Sequence, residues 1–231
     1  MRSEMNTSEL HYMILSHILQ RGYAPDLATI AADFGETNLL STKSTLIELE
    51  EQHGVVLHPD KDSVWIMHPL STAPTNFCIK ARGMTYWGNC AWCSLGVAAL
   101  LQPNDVTIST TAGAEGESVE IAITNGKPSE TDYLIHFPVP MTRAWDNVVY
   151  TCSVMLLFRS ELEIDSWCKR HQIRKGDVET VGRIWDFAKE WYGNHLSRTW
   201  KKWTDEEAAR IFQKHGLGGP TWTIPVTGKR F

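Results

Sequence analysis

Two cysteines spaced three residues apart, Cys90 and Cys93, are the residues best suited to chemistry in this sequence. They lie in the segment Asn89-Cys90-Ala91-Trp92-Cys93. At a helix start or a turn, this spacing directs both sulfurs to one point, and thiolates are soft donors that suit a soft metal ion or disulfide exchange. A structural zinc site normally has four ligands, and no second CxxC or HxxxH is present. The spacing also fits two small apolar residues of a buried helix.

The other three cysteines carry weaker signals. Cys152 lies in Tyr150–Val154, a run apolar enough to predict a core strand, and by itself indicates packing. Cys78 and Cys168 have no neighbours that mark a site. The odd number of five cysteines argues against a disulfide scaffold in a cytosolic chain.

Two further side chains are candidates for a site only if the fold brings them to it. Several common catalytic and nucleotide-binding motifs are absent. His136 and Asp146 lie in the central part of the chain and join a site only if folding brings them to it. The sequence has no phosphate loop, dinucleotide fingerprint or GxSxG elbow.

The elements before residue 77 predict a small helical domain. Apolar spacing and glycine stops predict helices over 9–20, 26–34 and 42–53, and a hairpin follows over 55–67. Three helices and a hairpin are the order of a winged helix. Residues 68–76 are rich in Pro, Ser and Thr and are predicted as a linker, so we expect domains at 1–76 and 77–231.

The second predicted domain mixes strands and helices. A buried helix over 89–101 precedes two alternating strands, over 106–109 and 119–123. Capping boxes at Ser160 and Thr204 begin two of the later helices. The predicted fold class is therefore α+β, with a winged-helix-like domain followed by an antiparallel sheet with flanking helices.

Composition and charge limit the partners. No apolar run reaches about 18 residues, so we expect no membrane partner, and residues 1–10 lack a signal core, which makes the cytoplasm the expected compartment. Residues 1–70 hold 4 Lys/Arg and 10 Asp/Glu, and the whole chain has a net charge of −5. The third helix of a winged helix would contact DNA, but here it is acidic and phosphates would repel it. A transcription regulator is thus a minor alternative, and we expect no nucleic-acid partner.

Two cysteine segments carry a resemblance to a known family. The segment Ala91-Trp92-Cys93-Ser94-Leu95 resembles the AWCALD motif of the bacterial organomercurial (alkylmercury) lyases. The apolar run that holds Cys152 and ends in Phe158-Arg159-Ser160 is similar to the family's second cysteine segment, and Trp167 follows as in the family. Order and spacing agree over residues 9–171.

This resemblance implies a reaction and a set of ligands. The family protonates a carbon–mercury bond without a cofactor, using two cysteines and an aspartate three residues after the first. Cys93 corresponds to the first cysteine and Cys152 to the second, while Gly96 stands where the aspartate belongs. In a second register, similar to superfamily sequences that read NCAWD, Cys90 is the shared cysteine and Cys93 replaces the acid. The expected catalytic and metal-binding residues are therefore Cys90, Cys93 and Cys152.

Two functions follow from the missing acid. In the first, the protein is an organomercurial lyase in which a third thiol, of Cys90 or Cys93, carries the proton and external thiols assist. In the second, it has lost lyase chemistry and binds copper, zinc or mercury, or acts as a redox protein. In either case two sulfurs that share one soft ion must lie within about 4–5 Å of each other.

Overall fold

Eight α-helices lie within residues 6–229, the part of the chain that our computed structural model describes. They are α1 (Thr7–Arg21), α2 (Leu27–Phe34), α3 (Leu39–Glu51), α4 (Ala91–Leu100), α5 (Val148–Val154), α6 (Glu161–His171), α7 (Val181–Trp191) and α8 (Asp205–Lys214). Each helix is preceded by a residue whose side chain accepts a hydrogen bond from a backbone N–H of the first turn. Seven of these caps are Asn, Asp, Ser or Thr, and the eighth is Cys90. A residue of the candidate site thus also begins a helix.

The larger sheet is antiparallel and contains eight strands in the order β1-β2-β3-β5-β4-β6-β7-β8. Its strands are β1 (Val56–Leu57), β2 (Val64–Met67), β3 (Leu70–Ser71), β4 (Phe77–Ala81), β5 (Met84–Gly88), β6 (Val106–Thr111), β7 (Ser118–Thr124) and β8 (Lys127–Pro128). β3 lies in the segment predicted as a linker and pairs with both β2 and β5. The sheet is therefore continuous across residue 76, and the division at 76/77 stays a prediction.

A smaller sheet has the order β10-β9-β11. It consists of β9 (Leu134–Phe137), β10 (Leu157–Phe158) and β11 (Asp177–Thr180), all antiparallel. With both sheets antiparallel and helices packed on them, the predicted α+β class is confirmed. Within residues 6–229, no helix combines the length and the apolar character needed to span a bilayer.

The predicted strand around Cys152 is wrong, because this segment forms α5. The side chain of Asn147 accepts the N–H of Tyr150 and caps the first turn. Thr151 and Cys152 are buried, whereas Tyr150 and Ser153 face solvent. The β-branched residues favour a strand locally, but the cap and this one-sided burial stabilise a helix instead.

Helix α4 lies between the larger sheet and α7, and two glycines permit the close packing. A Cβ at Gly88 of β5 would come within 2.8 Å of the Ser94 Cα. A Cβ at Gly96 would come within 2.4 Å of the Tyr192 ring, just after α7. Residues 91–98 are consequently all buried, which makes the start of α4 a rigid part of the core.

The N-terminal helices are attached to the sheet through the end of α1. The backbone carbonyl of Leu19 accepts hydrogen bonds from the Tyr86 hydroxyl at 2.8 Å and from the Arg82 guanidinium at 2.6 Å. Both donors belong to the β4–β5 hairpin, whose second strand leads directly to α4. This contact couples α1 to the segment that carries Cys90 and Cys93.

Candidate active site

Three buried cysteines from two distant segments meet at the start of α4. Cys90 precedes the helix and Cys93 lies in its first turn, while Cys152 comes from α5. Their Sγ atoms all lie within 4.8 Å of one another. No other three His, Cys, Asp or Glu side chains of residues 6–229 bring their ligand atoms this close. The distance expected for two sulfurs that share one soft ion is therefore met.

Backbone and sulfur contacts hold the two segments together. The N–H of Ala91 donates to the carbonyl of Met155, just after α5, at 3.1 Å. The Cys90 sulfur accepts the N–H of Cys93 at 3.2 Å and donates to the Met155 sulfur at 3.5 Å. Cys90 is thus the cap of α4 and also a link to the segment that supplies Cys152.

The three thiols differ in acidity. The pKa of Cys93 is well below its ordinary value because the neighbouring thiols of Cys152 and then Cys90 stabilise its anion, and His68 adds a smaller effect. Burial raises the pKa of Cys90, and hydrogen bonding within the cluster raises that of Cys152. The start of a helix also favours a thiolate. The cluster therefore favours the thiolate form of Cys93 and the neutral thiol forms of Cys90 and Cys152.

A small cavity with many aromatic side chains in its lining surrounds the sulfurs. Its volume is about 60 Å³, room for a small ligand, since roughly 10–15 Å³ admits one water molecule. Six of its walls are aromatic: Trp92, Trp145, Trp191, Tyr192, Trp200 and Trp203. No Asp or Glu lines it. The cavity therefore offers sulfur donors and apolar walls but no carboxylate acid.

Basic side chains enclose the cavity on the side of Trp145. The Lys202 ammonium lies 3.3 Å from the centroid of the Trp145 ring, and His53 stacks on the same ring at 4.3 Å. Burial holds the pKa of Lys202 well below its usual value, although the Cys93 thiolate opposes this effect. Burial also lowers the pKa of His195 to about 3, so that this histidine is neutral at pH 7.

Tyr192 is a polar group outside the cysteine cluster that contacts Cys93. Its hydroxyl oxygen lies 3.6 Å from the Cys93 sulfur. Burial and the neighbouring Cys93 raise the pKa of Tyr192 well above its ordinary value. The hydroxyl is therefore protonated and able to donate to the thiolate.

Sequence reasoning missed Tyr192 and Lys202 as site residues. Tyr192 belongs to the apolar stripe predicted for the helix over residues 181–192, and the stripe indicates only core packing. Lys202 lies in a loop with no motif. The available signal was a lysine between two tryptophans, Trp200 and Trp203, but it does not indicate which site the lysine would face.

The remaining sequence candidates lie elsewhere. Cys78 is on β4 and outside the cluster. Cys168 is buried 3.8 Å from His136, away from the cavity. Asp146 is exposed and forms an ion pair with Arg143 at 3.0 Å. The fold therefore brings neither His136 nor Asp146 to the cysteines.

Comparisons with known proteins identify the family. The family model described as MerB, alkylmercury lyase, matches residues 70–193, which include all three cysteines of the cluster and Tyr192. The chain belongs to the alkylmercury lyase family. Among solved structures, this alkylmercury lyase family member is similar to the mercury-bound form of MerB2, with 21% identity and a TM-score of 0.63. That match covers 84% of this chain and 100% of the other chain, and shows a common fold. No curated protein sequence gives a significant match.

Proposed function

We propose that this protein cleaves carbon–mercury bonds by protonolysis, with Cys93 and Cys152 as the principal mercury ligands and Cys90 as a third sulfur donor. The observation that carries the proposal is the convergence of three buried sulfurs within 4.8 Å in one cavity. Thiolate sulfur is the softest donor that a protein offers, and mercury is a soft acceptor. Membership of the alkylmercury lyase family supports the same substrate class.

Cys93 is the entering ligand in this mechanism. Its lowered pKa favours the thiolate, which attacks the mercury of R–Hg–X and displaces X⁻. The carbon–mercury bond is intact at this stage. The adjacent thiols of Cys152 and Cys90 are still protonated because their pKa values are raised.

Cys152 completes the reaction. Its S–H bond breaks as its sulfur binds mercury, and the site delivers one proton to the carbon. The electron pair of the carbon–mercury bond becomes the new C–H bond, so that R–H leaves and Hg(II) stays on two sulfurs. Cys90 adds electron density to mercury as a third donor, and an external thiol then removes Hg(II).

The cavity walls favour this chemistry. Its aromatic lining excludes water, which strengthens electrostatic effects on the leaving carbon. His53 and His68, from the predicted N-terminal domain, also line it. We propose that residues 1–76 serve as a cover for the thiol site rather than as a DNA-binding module.

Release of hydrocarbon tests the proposal. With methylmercury or phenylmercury and excess thiol, we expect gas chromatography to detect methane or benzene above the thiol-only control. Cys93→Ser and Cys152→Ser should reduce the release to background, whereas Cys78→Ser, outside the cluster, should retain it. If the unmodified protein releases no more hydrocarbon than the thiol-only control, the proposal is refuted.

A soft-metal site is the second candidate function. It is favoured by the absence of a carboxylate from the cavity lining, because three sulfurs without an acid suit copper(I) well. Protein purified under reducing conditions would then contain one equivalent of copper or zinc by elemental analysis, and Cys93→Ser would lose it. A metal-free preparation would count against this function.

A further inference from the structure

Tyr192 occupies the space beside Cys93 that a side chain at position 96 would fill. Gly96 lies three residues after Cys93 in α4, so the two positions are neighbours on one face of the helix. A Cβ built on Gly96 would lie 2.4 Å from both Cδ2 and Cε2 of Tyr192. The absence of a side chain at 96 is therefore what admits the tyrosine ring.

The Tyr192 hydroxyl is directed at a reacting atom. Its oxygen lies 3.6 Å from the Cys93 sulfur, within the same cavity. The Cys93 sulfur in turn lies within 4.8 Å of the Cys152 sulfur. The hydroxyl is therefore beside the sulfur that would bind mercury, and that sulfur is in turn within 4.8 Å of the thiol that must lose its proton.

Two other S–H or O–H groups of the cavity are directed at other acceptors. The Thr151 hydroxyl donates to the carbonyl of Ala144 at 3.0 Å, and the Cys90 thiol donates to the Met155 sulfur. No carboxylic acid lines the cavity. Tyr192 is thus the hydroxyl that contacts the first mercury ligand.

We propose that Tyr192 is a catalytic residue that carries the proton from Cys152 to the carbon, an inference that rests on the proposed lyase function. The tyrosine O–H bond breaks as the C–H bond forms and the carbon–mercury bond breaks. The Cys152 S–H bond breaks as its sulfur binds mercury, and this proton restores the tyrosine hydroxyl. The sum is R–H and one Hg(II) held by two thiolates, with no additional reactant.

The Tyr192→Phe variant tests this role because it removes only the hydroxyl and keeps the ring against Gly96. We expect the single-turnover rate of methane release from methylmercury to fall by about 100-fold or more, the usual effect of losing a proton carrier. Binding of inorganic Hg(II), measured by calorimetry, should stay within about twofold, because the sulfurs are unchanged. Tyr150→Phe is the matched control, since Tyr150 is solvent-exposed on α5, and it should retain the wild-type rate.

A second experiment removes the tyrosine ring and places an acid at position 96, so that the test does not depend on the Tyr192→Phe variant alone. Tyr192→Ala alone should be as slow as Tyr192→Phe, whereas Gly96→Asp with Tyr192→Ala places an acid in the vacated space. We expect the double variant to recover at least about tenfold in rate over Tyr192→Ala, because a positioned general acid contributes 10²–10⁴-fold.

The outcomes separate this proposal from the proposed function. If the wild type releases methane and Tyr192→Phe releases it within about threefold of the same rate, Tyr192 is not the carrier although the lyase function stands. If Cys90→Ser causes the large loss while Tyr192→Phe keeps the wild-type rate, the Tyr192 proposal is wrong. If the wild type releases no methane, the lyase function and the Tyr192 proposal are both refuted.

Discussion

At the scale of single residues, the three cysteines have the same side chain and different chemistry. The neighbouring thiols of Cys152 and Cys90 stabilise the anion of Cys93, and so does its place in the first turn of a helix. Cys90 is buried as a helix cap, and Cys152 faces both other sulfurs, so their neutral forms are favoured. One thiolate beside two thiols provides both a nucleophile and a proton, which protonolysis consumes in equal numbers.

The acidity of Cys93 leads to a pH prediction. A thiolate forms above its pKa, so the lowered pKa of Cys93 predicts a rise in thiolate absorbance at 240 nm at a pH below about 8.5, the value of a free cysteine. Cys93→Ser should remove this step. Cys152→Ala should move it to higher pH because the largest stabilising hydrogen bond is lost. Cys78→Ser should leave it unchanged, and a titration curve that is the same for all four proteins would contradict the assignment.

At the scale of elements, the packing of α4 against the end of α7 decides what can stand beside the cysteines. Trp92 of α4 contacts both Trp191 and Tyr192, and the Tyr192 ring lies against Gly96. A helix normally disfavours glycine by roughly 0.5–1 kcal/mol relative to alanine. Here glycine is required by the close approach of the tyrosine ring.

Gly96→Ala therefore should destabilise the protein although alanine is the better helix former. A methyl group 2.4 Å from ring carbons must displace Tyr192, and overpacking of this kind costs about 1–3 kcal/mol. Urea denaturation measures the loss. Gly182→Ala, in α7, is the comparison, since its nearest neighbour is a Thr131 carbon at 3.3 Å and its cost should be smaller. A gain in stability for Gly96→Ala would contradict the packing described here.

At the scale of the whole molecule, the cavity is assembled from the first, middle and last parts of the chain. His53 precedes β1, Cys93 and Cys152 are central, and Trp200 and Lys202 lie beyond α7. The fold also buries His136 and His195, and burial lowers their pKa values to about 4 and about 3. Both histidines are therefore neutral in the folded state at pH 5.

This burial predicts a loss of stability in mild acid. In the unfolded chain a histidine binds a proton below about pH 6.5, while buried His195 does not, so stability is retained above 6.5 and falls as the pH drops towards 3. Between pH 7 and pH 5, His195 should cost about 2 kcal/mol of unfolding free energy. Urea denaturation of His195→Gln should show a pH dependence smaller by that amount. An unchanged dependence would show that His195 is protonated in the folded protein.

Local patterns were sufficient for much of the fold and for the pair Cys90 and Cys93, whereas only the family resemblance indicates Cys152 as a sulfur donor. The cap and stop residues predict the helices that begin after Ser160 and Thr204, and alternation predicts β6 and β7. The pair Cys90 and Cys93 is a local motif because one turn of α4 brings both residues to the same point. These features depend on neighbours within a few residues, which the sequence displays directly.

Tertiary structure alone decided which other groups join these two cysteines. The apolar run around Cys152 is compatible with a strand, and only its cap and one-sided burial make it a helix that faces α4. Tyr192 and Lys202 are separated from Cys93 by about a hundred residues and carry no motif. Their approach depends on the packing of α7 and the following loop against α4, which is the sum of many contacts with no periodic signature. The sequence by itself therefore determined the paired cysteines of the site. The tertiary packing determined that Cys152, the Tyr192 hydroxyl and the Lys202 side chain lie beside them.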